Sequence, residues 1–178
     1  MKQGKIEGIV LKSTPLFDHD KRIELLSKSE GKKIVLAKYA NTKSFRFGSK
    51  LELGTHILCH TYKGKSFTIL TDCDLIQNFP NIRNSYNRIA LSLYIIELTQ
   101  KIASENHHNE QLFTLLKTSL EQLNNAQNDG IHIKNKFQKQ LLESEGIIDE
   151  SVDELSDAEF RRYFQEYCET KMPILLHL

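Results

Sequence analysis

Between Gly8 and Asp74 the chain is cut into five short runs of strand-forming residues, and no gap between them has the period of a long helix. The runs are Gly8–Ser13, Lys21–Ser27, Lys32–Ala37, Leu51–Tyr62 and Ser66–Asp74. Ser13, Thr14, Pro15, Asp18 and Asp20 break the first from the second, and Ser29, Glu30 and Gly31 form a tight turn. Gly54 predicts a bulge or bend in the fourth run, and Lys63-Gly64-Lys65 a hairpin turn after it. In the fifth, Phe67, Ile69 and Thr71 share one face, and Phe67 is expected in the core. Five short strands with bulges and no long helix suit a small barrel of the oligonucleotide-binding (OB) kind. A five-stranded SH3-like barrel gives nearly the same pattern.

At Asn78-Phe79-Pro80-Asn81 the hydrophobic period changes from two to about 3.6. Tyr86, Ile89, Ala90, Leu93, Tyr94, Leu98 and Ile102 predict one apolar helix face, and Asn106 to Asn109 interrupts it. Leu112, Phe113, Leu116, Leu120 and Leu123 predict a second helix. Ile133, Phe137, Leu141 and Leu142 predict a third, capped by Gly146. Ser156-Asp157-Ala158-Glu159 is a capping box that opens a fourth running towards Glu169, with Pro173 stopping it. The class is therefore α+β, a barrel over residues 1–79 followed by an α-helical domain over 80–178.

Charge divides at the same place. Residues 1–80 hold 14 Lys and Arg against 8 Asp and Glu, while residues 81–178 hold 10 against 15. The net +1 of the whole chain hides a basic half beside an acidic one. Polyanion contact is expected in the first half, on Lys12, Lys21, Arg22, Lys32, Lys33, Lys38, Lys43, Arg46, Lys63 and Lys65. Lysines neutralise phosphates and flat rings stack on bases, which makes a single-stranded nucleic acid the natural ligand. Of the aromatics Phe17, Tyr39, Phe45, Phe47, Tyr62 and Phe67, the pair Phe45 and Phe47 flanks Arg46 and is the better stacking candidate. One of the two could instead plug an open end of the barrel. The plain alternative for the lysines is a solvated strand surface whose charges blunt sheet edges.

Other chemistry is thinly represented. Asp18-His19-Asp20 has acid/base residue types, but a turn before a strand is the simpler reading. No phosphate-binding loop and no Gly-x-Ser-x-Gly elbow occurs, so neither ATP hydrolysis nor any other catalysis is expected, and no cofactor. Cys59, Cys73 and Cys168 are odd in number and far apart, as for reduced thiols in a cytoplasm. His107-His108 reads as a solvated pair. No apolar run is long enough for a membrane span, and Met1 to Gly8 lacks the apolar stretch of a signal peptide. In the acidic half, Lys134, Lys136 and Lys139 surround Phe137. A groove with that floor and rim suits an acidic peptide tail, and the alternative is a helix with Phe137 in the core and its lysines in water.

The chain resembles the RecO family of bacterial recombination-repair proteins. The resemblance is carried by Glu7-Gly8-Ile9-Val10-Leu11-Lys12-Ser13, Asp20-Lys21-Arg22 leading into Leu25-Leu26, the Gly31 turn, Val35-Leu36-Ala37-Lys38 and Lys43-Ser44. It continues through Phe79-Pro80, the helix from Tyr94 to Glu97-Leu98, and Phe137 with Leu141-Leu142 and Gly146. Order and spacing make it specific, and it covers most of the chain. It favours the OB barrel over the SH3-like one. It implies a mediator that binds single- and double-stranded DNA and anneals complementary strands. With RecR, such a mediator helps load RecA on DNA coated by single-stranded-DNA-binding protein, whose acidic C-terminal tail is a further partner. Two departures stand out. The family's Gly-Ala-Arg after Ala37-Lys38 is here Tyr39-Ala40-Asn41-Thr42, so that binding through this loop is either weaker or leans on Tyr39 instead. The family's four-cysteine zinc site has no counterpart in Ile147 to Glu154, which holds no cysteine, so no metal is expected. The rival readings are an RNA-binding OB protein of translation or ribosome assembly, and a non-catalytic adaptor.

Overall fold

A computed structural model describes residues 3–40, 47–128, 130–149, 151–152 and 154–168. The chain forms two compact units, one of residues 1–78 with 103–113, the other of 79–102 with 114–178.

The first unit is a closed five-stranded barrel of β1 (Gln3–Leu16), β2 (Asp20–Ser27), β3 (Gly31–Ala37), β4 (His56–Lys63) and β5 (Thr68–Gln77), in the order β1-β2-β3-β5-β4. The long β1 closes it, its first half pairing with β4 and its second with β2. Only β3 and β5 run parallel, over Val35–Ala37 against Thr68–Leu70. This is the OB arrangement, in which one coiled first strand serves both sides of the barrel. Its interior is filled by Val10, Ile23, Leu25, Val35, Ile57 and Leu70, with Phe47 and Leu51 among them.

Several boundaries differ from expectation. β1 runs through Ser13, Thr14 and Pro15 to Leu16 because a bulge between Val10 and Lys12 lets the strand coil and stay paired. Leu51 ends a short 3-10 turn, Gly48–Leu51, and β4 starts only at His56. Gly54 (φ 79°) lies in the turn between them, its N–H donating to the Val10 carbonyl at 2.9 Å. Phe67 precedes β5 in the bend closed by Gly64 N–H to Phe67 O at 2.9 Å, so it is exposed, and Leu70 takes the interior position.

Residues 104–106 extend the sheet beside the start of β3. The Lys32 N–H donates to Ser104 O at 3.1 Å, the Asn106 N–H donates to Lys32 O at 3.3 Å, and Lys33 Nζ reaches Asn106 Oδ1 at 2.8 Å. A strand edge that would otherwise be bare is thereby covered. Gly31 (φ 72°) allows the approach, since a Cβ there would lie 2.1 Å from the His107 carbonyl oxygen.

The second unit is helical: α1 (Tyr86–Ile102), most of α2 (Glu110–Asn125), α3 (Ile131–Ser144) and α4 (Asp157–Cys168). In α1 the buried positions include Leu91, Tyr94, Ile95, Ile96 and Leu98, whereas Tyr86 and Leu93 are exposed. That helix is apolar around most of its circumference, so periodicity alone does not set which stripe turns inward. α3 ends in a Schellman motif, with Gly146 N–H to Glu143 O at 3.0 Å and Ile147 N–H to Leu142 O at 2.9 Å. α4 opens on the capping box, with Ser156 N–H to Glu159 Oε2 at 3.0 Å and Glu159 N–H to Ser156 Oγ at 3.3 Å. The stop assigned to Pro173 lies outside the described residues.

Candidate nucleic-acid interface

Alternation fixes which cations face out. Ile23, Leu25, Val35 and Ala37 point into the barrel, so Arg22, Glu24, Ile34 and Leu36 lie on its outer face, with Arg22 opposite Leu36 and Glu24 opposite Ile34. The bulge in β1 brings Lys12 onto that face opposite Glu24. Lys38 follows β3 and is exposed, and Lys21 is half-buried at the same end of the barrel. Lys63 and Lys65 are exposed at the β4–β5 turn. Among the described residues Lys12, Lys21, Lys38, Lys63 and Lys65 have no carboxylate partner.

Arg22 differs: its guanidinium is paired with the buried carboxylate of Glu24. Lys33 is likewise paired with Glu30 at 2.6 Å. These two cations are largely spent on the fold.

Phe47 corrects the stacking assignment. It is 3% exposed and packs in the barrel interior, so it is the ring that fills the barrel and cannot meet a base. Lys43, Phe45 and Arg46 lie outside the described residues. On the described part of the barrel the large rings most open to solvent are Phe17 (82% exposed), Tyr39 (58%) and Phe67 (58%). Phe17 sits in the turn between β1 and β2, and Tyr39 just after β3. The signal available in the sequence was the company each keeps, Asp18-His19 beside Phe17 and Lys38 beside Tyr39. Asp18-His19-Asp20 is a turn: Asp20 Oδ1 accepts the Tyr39 N–H at 2.9 Å, and the His19 ring stacks on Tyr39 at 6.5 Å and 21°.

The opposite side of the barrel is different in kind. Lys5, His60, Tyr62 and Asp72 line an open hollow of about 780 Å³ on β1, β4 and β5. There His60 Nε2 lies 2.8 Å from Asp74 Oδ2, a hydrogen bond that holds the Asp74 carboxyl below its usual range. Asp72 and Asp74 offset Lys5, so the uncompensated positive charge belongs to the β1–β2–β3 face and the loop ends.

The helical cations do not form a peptide groove. Phe137 is 1% exposed in the helical core, and the Lys134 ammonium is buried with both Asp157 carboxylate oxygens at 2.8 and 2.9 Å. Lys139 faces Glu143 at 3.6 Å, which leaves Lys136 exposed alone. The apolar floor and most of the basic rim are thus consumed inside the unit. Among the described residues no three His, Cys, Asp or Glu gather to hold a metal. Cys59 and Cys73 face each other across β4 and β5 in the barrel core, where burial pushes their thiols up to about 12 and about 11. Thiols kept protonated are poor ligands.

A small OB barrel with a lysine-bearing outer face, followed by a helical unit, defines the class. Two family models place the chain within it. The one described as "Recombination protein O N terminal" matches residues 1–79, and "Recombination protein O C terminal" matches residues 83–148. Among curated relatives, "DNA repair protein RecO" of Acetivibrio thermocellus is 31% identical over 146 residues, 80% of this chain and 57% of that protein. The protein of the same name from Symbiobacterium thermophilum is 28% identical over 142 residues, 80% of this chain and 56% of the other. That from Desulfatibacillum aliphaticivorans is 31% identical over 143 residues, 79% and 55%. The chain belongs to the RecO family of DNA repair proteins. It spans little more than half the length of these relatives. No helix among the described residues is long and apolar enough to cross a membrane.

Proposed function

We propose that this chain is a recombination mediator that binds single- and double-stranded DNA through the phosphates and anneals complementary strands. Together with RecR it helps load RecA on DNA coated by single-stranded-DNA-binding protein, and it works in the cytoplasm without covalent chemistry or a cofactor. The observation that carries this reading is the set of five lysines, Lys12, Lys21, Lys38, Lys63 and Lys65, that have no carboxylate partner among the described residues of an OB barrel. Their charges are spread over strand, mouth and turn, which suits contact with a flexible backbone and not with base edges. Neutralising phosphates on two strands at once lowers the repulsion that keeps them apart, which is what annealing requires. Family membership supports RecR and the tail of single-stranded-DNA-binding protein as partners. Lys134, Lys136, Phe137 and Lys139 do not offer the tail a joint surface.

Fluorescence anisotropy with labelled single-stranded DNA across a salt series tests this, alongside a Lys38/Lys43/Arg46 triple-alanine variant. If all five lysines meet phosphates, log K falls against log salt with a slope of about −3.5, roughly a hundredfold between 50 and 200 mM. The variant should show a shallower slope. Absence of binding at low salt would defeat the reading for this chain alone. A much stronger preference for RNA would favour the translation-related alternative.

A further inference from the structure

Two aromatic residues at one end of the barrel are held outward at a cost to the backbone. Phe17 (φ 55°) and Tyr39 (φ 58°) both adopt the left-handed conformation, which side chains with a Cβ disfavour. Both are large rings, and both are mostly open to solvent. The conformation at Tyr39 is fastened by its N–H to Asp20 Oδ1 at 2.9 Å, and its ring is backed by His19 at 6.5 Å and 21°. Phe17 belongs to the same turn as His19, since Leu16 pairs with Asp20 across it. Left-handed backbone at a large ring and exposed apolar surface are both costs, and their coincidence at two neighbouring turns points to a function.

The surroundings point to the ligand. Lys38 adjoins Tyr39, and Lys21 follows Asp20, both without a carboxylate partner among the described residues. Exposed rings beside unpaired ammonium groups match a single strand, whose bases need a flat apolar face and whose phosphates need positive charge. Asp18, exposed in the same turn, disfavours a phosphate over the rings themselves. We propose that Phe17 and Tyr39, with His19 behind Tyr39, form a platform on which unpaired nucleobases stack. This rests on the DNA-binding reading above and adds to it a means of telling single from double strands. In a duplex the bases are already stacked on each other, so the platform gains nothing there.

The chain contains no tryptophan, which makes a direct optical test possible. Phe17→Trp introduces the sole indole, and its fluorescence should be quenched as oligo(dT) binds, with affinity kept. Phe17→Ala and Tyr39→Gly should each weaken oligo(dT) binding by about tenfold while leaving the salt slope unchanged, because stacking displaces no counterions. Glycine at position 39 suits the positive φ, so the backbone there is not strained by the change, and a thermal melt matching wild type shows that any loss of binding is not misfolding. Affinity for a blunt hairpin duplex should stay within about twofold in both variants. The inference is overturned if wild type binds oligo(dT) and both variants bind it equally well. Unchanged indole fluorescence at saturation, or equal losses on single strand and duplex, would also overturn it. If wild type itself fails to bind any DNA, the broader reading falls first and this one with it, an outcome distinct from the others.

Discussion

Phe47 decides between two roles that leave opposite signatures. In the barrel it is 3% exposed, among Val10, Val35 and Leu70. A buried Phe removes roughly 150–200 Å² from water, worth about 4–5 kcal/mol at 25 cal/mol per Å². Truncation to Ala also leaves a cavity that a closed barrel cannot easily collapse, and measured Phe→Ala losses in cores run at about 3–5 kcal/mol. Phe47→Ala is therefore expected to cost about 3–5 kcal/mol, a large part of the 5–15 kcal/mol that typically holds a domain. Phe47→Leu, which keeps most of the volume, should cost about 1 kcal/mol. Urea unfolding followed by far-UV circular dichroism reads the loss. Calorimetry then assigns it, since a barrel-confined effect should move one transition where the two units unfold separately. DNA affinity should be read well below the melting temperature, where the folded fraction of Phe47→Ala still dominates. There it should change by less than about threefold, because the ring contacts no solvent. The reasoning is refuted if Phe47→Ala melts like wild type and loses DNA binding, for then the ring faces the ligand.

Three other perturbations have clear signs. Gly31→Ala should destabilise the barrel unit by more than the roughly 1–2 kcal/mol of a left-handed alanine, since its Cβ would strike His107 backbone atoms, and amide exchange at Lys32 and Asn106 should accelerate with it. Asp157→Ala, which strands the buried Lys134 ammonium, should cost about 1–3 kcal/mol, whereas Lys134→Met should be near neutral and Lys136→Ala silent in thermal melts. Burial raises the Cys59 and Cys73 thiols from 9.0 to about 12 and about 11, so their contribution is complete below pH 9 and is lost as pH rises towards 12. Over that window the urea midpoint of wild type should fall more steeply than that of a Cys59→Val/Cys73→Val variant; parallel curves would show that the thiols ionise freely in the folded state.

A feature was legible in the sequence when the residues that satisfy it lie close by along the chain. The Gly146 cap and the Ser156–Glu159 box are satisfied within a few residues, so their residue types suffice to place them. The strands were legible from alternation, but their ends were not. Pro15 stands in β1 opposite Lys21, within a hairpin, and the Val10–Lys12 bulge that lets the strand coil and stay paired to Leu16 has no signature in residue type. Phe47 and Phe67 exchanged roles for the same reason. Local sequence gives both a ring among lysines, and only barrel closure decides that Phe47 enters and Phe67 stays out. In α1, apolar residues on most sides hid the phase altogether. The cations were legible as a set but not individually: Arg22 and Glu24 share a strand face two residues apart, so that pair follows once the strand is placed, whereas the Lys134–Asp157 pair joins two helices and is a tertiary fact.

That distinction bears on how a mediator of the proposed kind would work. A protein that reads sequence needs rigid, bidentate cations, and the one arginine on the β2 outer face is tied to Glu24. What remains without a carboxylate partner among the described barrel residues discussed above is lysine, a point charge on a long flexible stem that can meet any phosphate within reach. Contacts of that sort are individually weak and exchange readily, and their sum falls steeply with salt. Annealing needs such a balance: strands must be held long enough to test pairing and must leave once the duplex forms. Lysines alone hold product and reactant alike, since a duplex offers more phosphates than a single strand. A stacking platform at Phe17 and Tyr39 would tip the balance towards unpaired strands and release them on pairing, when the bases withdraw from the rings. Strand selectivity and product release then have one physical origin, and loss of the rings should slow turnover of annealing by retained duplex more than it slows the first encounter.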